Sequence, residues 1–117
     1  MINAMHLLIY STDAAADRAF LRDVLGFPYA DDGDGWLIFK VPPAELGVHP
    51  TEAGTERHEL FFMCDDVEAT VAELTAKGVE LTRPVRDDGF GLTTEIRLPG
   101  GGTLGLYEPK HAKAYEL

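Results

Sequence analysis

The chain has 117 residues, 45% of them apolar, one cysteine and a formal net charge of −10. That length suits one domain with a real core, and the apolar content excludes a disordered chain. The charge argues against nucleic acid as a partner, a lone cysteine forms no internal disulfide, and no apolar run approaches the ~20 residues of a membrane-spanning helix.

The N-terminal "MHLLIYS" is apolar but lacks a basic flank and a cleavage site. It reads as a first strand rather than a signal peptide, and a reducing, cytoplasmic setting is the simplest expectation. "DAAADRAFLRDVLG" follows, with Ala16, Phe20 and Val24 four apart and Leu21 and Leu25 beside them. This spacing predicts a helix with one buried face, capped by Asp13 and stopped at Gly26. Strand signals come next in "FPYA", "GWLIFK" and "ELGVH", separated by "DDGDG" and "PP". "PTEAGTER" is a polar linker. The order then repeats: the strand "HELFFMC", the helix "DDVEATVAELTAKG", and the strand signals "VELTRPV", "GLTTEIRL" and "TLGLYE". In the second helix Asp65 and Glu68 fit a capping box and Gly78 is the stop.

A shift of 52 positions lays His6 on His58, Asp13 on Asp65 and Gly26 on Gly78. Each half is therefore βαβββ. The expected class is α+β, one domain over residues 1–117, with module one at about 5–50 and module two at about 57–109. The two halves end alike, in "ELGVHP" and "LGLYEP", so His49 and Glu108 occupy matching places before a proline. If a pseudo-twofold axis relates the halves, His6, His58, His49 and Glu108 converge on it. Imidazole and carboxylate are ligands for zinc, iron, nickel or manganese, and a buried carboxylate needs a partner. A single histidine at a strand end is more often a surface or hydrogen-bonded residue; the shared repeat positions are what favour a site. His111, beyond the last strand, reads as a tail residue, and Cys64 as a buried structural thiol. Tyr10, Trp36, Phe39, Phe62 and Phe90 are available to line a pocket, with core packing the alternative for each.

"HELFFMCDDVEATVAELTAKGVE" and "LPGGGTLGLYEP" resemble stretches of the vicinal oxygen chelate superfamily, the glyoxalase, bleomycin resistance and type I extradiol dioxygenase proteins. The resemblance implies paired modules, a curved mixed sheet around a cleft, and a divalent metal (Fe2+, Ni2+, Zn2+ or Mn2+) that chelates two vicinal oxygens of a small-molecule substrate. It places the ligands on His6, His58 and Glu108 with His49 fourth, and makes His49 and Tyr10 candidates for catalysis. Two histidines and a carboxylate suit a dioxygenase-like activity. Histidine 49 departs from the glutamate of glyoxalase I, in which a carboxylate moves a proton. The leading expectation is thus a metal-dependent dioxygenase-like or lyase-like enzyme, and the alternative is a metal-free, dimeric drug-sequestering protein. A homodimer is expected in either case.

Overall fold

The computed structural model describes Met1, residues 4–52, Gly54 and residues 57–117. Ala53, Thr55 and Glu56 of the expected linker lie outside the described residues, as do Ile2 and Asn3. The elements are α1 (Ala14–Asp23), β1 (Tyr29–Asp31), β2 (Leu37–Phe39), β3 (Phe61–Met63), α2 (Val67–Ala76), β4 (Leu81–Asp87), β5 (Gly91–Arg97) and β6 (Thr103–Pro109), with a short 3-10 turn at Ala114–Glu116. The class is α+β. Among the described residues no helix is long and apolar enough to cross a membrane.

The second half forms the complete βαβββ unit. Its four strands run in the order β3-β6-β5-β4, with β3 parallel to β6 and the other pairs antiparallel. The parallel pair needs a crossover, and α2 supplies it. Asp66 caps α2 by accepting the Ala69 N–H at 3.1 Å. The cap is therefore one residue later than the Asp65 box expected from sequence. Gly78 follows the helix with φ +84°, a left-handed turn that a side chain would strain.

One face of this sheet is buried by the helices. Val67 and Leu74 of α2 pack with Leu104 and Leu106 of β6, Ile96 of β5 and Leu98. Phe20 of α1 joins the same cluster, so the core is shared between the halves. Two polar ties fix α1 there. Asp17, itself buried, accepts the Gly100 N–H at 2.7 Å, and the Thr12 hydroxyl donates to the Gly100 carbonyl at 2.9 Å. Gly100 has no room for a side chain, because a Cβ would lie 2.2 Å from Ser11 Oγ.

The first half is less complete than the repeat predicts. It keeps α1, capped as expected by Asp13 through the Ala16 N–H, and an antiparallel hairpin of β1 and β2. Residues 4–10 and 41–50, which hold the expected first and last strands, are assigned to no helix or strand. Their apolar side chains face solvent: Leu8 is 67% exposed, Tyr10 91% and Val48 91%. The physical reason is the missing neighbour. In the second half the first and last strands pair with each other and lie under α2. The corresponding segments of the first half find no sheet within one chain.

Candidate functional site

The cross-strand register sorts the side chains of the second sheet onto two faces. Phe61, Gly105, Glu95 and Arg83 form one row of paired residues, and Tyr107, Thr93 and Arg86 are joined in the next row, with Met63 opposite Tyr107. Successive residues of a strand point to opposite faces. Leu104, Leu106 and Ile96 are in the core, so the Phe61 and Tyr107 rows lie on the face away from the helices. That face borders a cavity of about 520 Å3, lined among others by Ile9, His58, Glu59, Phe61, Arg83 and Glu95.

Two glycines leave room for aromatic rings on this face. A Cβ on Gly105 would fall 2.2 Å from the Phe61 ring, and one on Gly91 would fall 2.2 Å from the Tyr107 ring. The rings form a chain with edge-on contacts: Phe61 to Tyr107 at 6.0 Å, Tyr107 to Phe90 at 5.6 Å, and Phe90 to His49 at 5.7 Å. Such contacts contribute about 0.5–1.5 kcal/mol each beyond area burial. Polar groups border them. Arg83 donates to the Thr93 carbonyl and hydroxyl, each at 2.9 Å. The Thr93 hydroxyl donates to Asp88 at 2.7 Å, and Asp88 pairs with Arg86 at 2.7 Å. The Thr93 hydrogen bond, then Arg86, holds the Asp88 carboxyl below its usual range. Burial pushes the Tyr107 phenol up, with Glu45 adding to the effect.

Glu108 falls on the other face. It is opposite Leu92, which packs against the core. Its carboxylate accepts the Val67 N–H at 2.8 Å, at the open N-terminus of α2. Negative charge is favoured there by the exposed amides and the helix dipole. Glu108 therefore has a partner that sequence reasoning did not consider, and a metal is not needed to explain a carboxylate in this strand.

The structure does not assemble His6, His49, His58 and Glu108 into one donor set. Among the described residues no group of three or more His, Cys, Asp or Glu side chains is placed to hold a metal ion. The residues present thus do not fit the divalent ion implied by the family in this arrangement. His58 lines the cavity and His49 stands at Phe90, at the far end of the aromatic chain. His6 and Tyr10 lie in the exposed segment 4–10.

The aromatic candidates also divide. Phe90 belongs to the aromatic chain. Phe62 packs against the core and meets Phe27 edge-on at 5.1 Å. Phe39 packs against Tyr29, and Trp36 sits beneath the Arg18 guanidinium at 4.5 Å. Phe61, Tyr107 and Gly105 were not singled out from sequence. Once the packing of Leu104 and Leu106 fixes the buried face of β6, alternation assigns Gly105 and Tyr107 to the other. Cys64 is half-buried rather than fully enclosed, and desolvation raises its thiol pKa, as expected for an unreactive cysteine.

Comparison with known proteins agrees with this architecture. Residues 4–111 match the Glyoxalase/Bleomycin resistance protein/Dioxygenase superfamily. The Escherichia coli K12 protein YaeR, described as uncharacterized, is 32% identical across 88% of this chain and 93% of its own. Among solved structures, TnmS3, an antibiotic binding protein from Streptomyces sp. CB03234, aligns with a TM-score of 0.68 at 24% identity, covering 93% of this chain and 98% of its own. Lactoylglutathione lyase from Agrobacterium tumefaciens aligns with a TM-score of 0.65 at 22% identity, covering 90% and 92%. These last two likenesses concern the fold. With the complete βαβββ unit, the repeat and the family match together, the chain belongs to the Glyoxalase/Bleomycin resistance protein/Dioxygenase superfamily, the vicinal oxygen chelate proteins.

Proposed function

We propose that this chain binds a planar aromatic small molecule in the cleft of its second sheet, without a metal ion on Glu108, and does so as a cytoplasmic homodimer. The observation that carries this reading is the division of β6 between its faces. Phe61 lies over Gly105 at the cavity and Tyr107 over Gly91 beside it on the same face, while Glu108 caps α2. A flat ring stacked on such a floor gains dispersion and apolar burial. Glu59 and Glu95 with Arg83 and Arg86 offer hydrogen bonds at its border. A net charge of −10 favours a ligand with positive charge. Sequestration of a drug-like molecule is the corresponding role; TnmS3 is described as an antibiotic binding protein.

Support for the dimer comes from the exposed apolar segments. Residues 4–10 and 40–52 expose apolar side chains that their counterparts in the second half bury or pair. A second copy offers the same surfaces in return, as a twofold interface requires.

The metal-dependent reading, with dioxygenase-like or lyase-like chemistry at His6, His49, His58 and Glu108, asks more of the molecule. Glu108 would have to leave the Val67 amide and orphan it, and Val67 is fully buried. The test is a fluorescence titration with thioflavin T, a planar cationic dye, in the presence and absence of EDTA. Binding unaffected by EDTA and weakened at least tenfold in Phe61→Ala is expected. Binding that disappears with EDTA, or is indifferent to Phe61→Ala, contradicts the proposal.

A further inference from the structure

Segment 40–52 shows an inverted pattern of burial. Its apolar Leu46 and Val48 face solvent, while the Glu45 carboxylate is only 14% exposed. The C-terminal tail encloses it. Glu45 Oε2 accepts the Ala114 N–H at 2.8 Å, and Glu45 Oε1 lies 3.7 Å from His111 Nε2. His111 is itself fixed. Its Nδ1 is 2.7 Å from the Ala112 carbonyl, which only a protonated nitrogen can use, so in the neutral ring Nε2 accepts from the Tyr107 hydroxyl.

The tail and segment 40–52 meet again at Phe90. The Phe90 carbonyl accepts the Lys110 N–H at 2.9 Å, and its ring receives His49 edge-on. Lys110 also pairs with Asp87, and Lys113 lies 3.5 Å from Asp65. The tail is thus tied to the second module at several points and holds the Glu45 carboxylate.

We propose that Glu45 is a positioning residue: the C-terminal tail grips it, and the grip sets His49 against Phe90 at the open end of the aromatic floor. His111 and residues 110–117 then hold the Phe90 end of the aromatic chain in place rather than forming a passive tail. The inference uses the cleft described above but not its ligand, so it is tested without one.

The experiment is NMR of the histidine rings together with amide hydrogen exchange on the full chain, for wild type, Glu45→Ala, Glu45→Gln and His111→Asn. In Glu45→Ala the His49 ring signals should lose the shift imposed by Phe90, and amides of residues 45–49 and 112–116 should exchange about tenfold faster together. Glu45→Gln keeps an oxygen for Ala114 and should restore most of both. Protection in β5 and α2 reports whether each variant is folded. Should Glu45→Ala not fold, His111→Asn carries the test and should loosen the same two segments. Unchanged His49 signals in a folded Glu45→Ala, or faster exchange in only one of the two segments, overturns the proposal. Thioflavin T binding is not among the readouts, so failure here and failure of the cleft reading are separate results.

Discussion

Residues 57–109 and residues 5–50 carry the same order of elements, yet they reach different states within one chain. In the second, β3 pairs in parallel with β6 and both lie against α2. In the first, the described residues form one helix and a short hairpin, and residues 4–10 and 41–50 are assigned to no strand. The difference lies in strand length and cover. The strands β4, β5 and β6 have seven residues each, whereas β1 and β2 have three. A two-stranded hairpin cannot bury a face alone, and a third strand or another layer is needed. The second module is thus the platform, and the first borrows part of its core through Phe20 while its own edges stay exposed.

Disruption of the platform should have the largest effect. Ile96 is fully buried at the centre of the shared cluster. Ile96→Ala should lower unfolding free energy by about 2–5 kcal/mol, read from the midpoint of urea denaturation. A loss below about 1 kcal/mol would place the core elsewhere. The unpaired segments should behave differently. Leu8→Asp and Val48→Asp should convert the proposed dimer to monomer in analytical ultracentrifugation, while the helical circular dichroism signal persists. A wild type that sediments as a monomer at every concentration removes the partner from this account.

Smaller effects separate the two faces of the second sheet. Glu108→Ala removes a charged acceptor from the α2 N-terminus and should cost about 1 kcal/mol of stability. A loss confined to metal-loaded protein would point to a different role. The smallest effect concerns pH. The Asp88 carboxyl is held below its usual range by Thr93 and then Arg86. A depressed folded-state pKa gives stability that is present above the unfolded value, about 3.9, and lost as pH falls through the folded value. Asp88→Asn should therefore flatten the acid limb of a stability–pH curve and leave its slope near pH 8 unchanged.

Much of the platform was legible in the sequence because its signals are local. In "DDVEATVAELTAKG" the apolar Val67, Val71 and Leu74 recur at helical spacing and Gly78 marks the end of α2. The glycine-bearing stretches "RDDGFG" and "PGGG" stand between three strands that the structure pairs. The faces were harder to read. In "HELFFMC" every residue from Leu60 onward is apolar, so alternation alone does not say whether Phe61 or Phe62 meets the helix. The same holds for β6, where only the packing of Leu104 and Leu106 shows that Glu108 turns toward α2. The expected convergence of His6, His49, His58 and Glu108 assumed four formed strands around one axis. Two of those strands are not formed in a single chain, so the repeat in the sequence exceeds the repeat in the fold. The Asp65 box failed for a local reason: Asp66 is adjacent and reaches the Ala69 amide.

The division of β6 between a capping carboxylate and an aromatic floor is tested most directly by metal titration. Protein purified without chelators should be analysed for Fe, Ni, Zn and Mn and titrated with each ion, as wild type and as Glu108→Gln. The account predicts substoichiometric metal, and affinities for each ion that agree within about threefold between the two proteins. One tightly bound ion per chain in the wild type, lost in Glu108→Gln, would contradict it and restore Glu108 to the cleft.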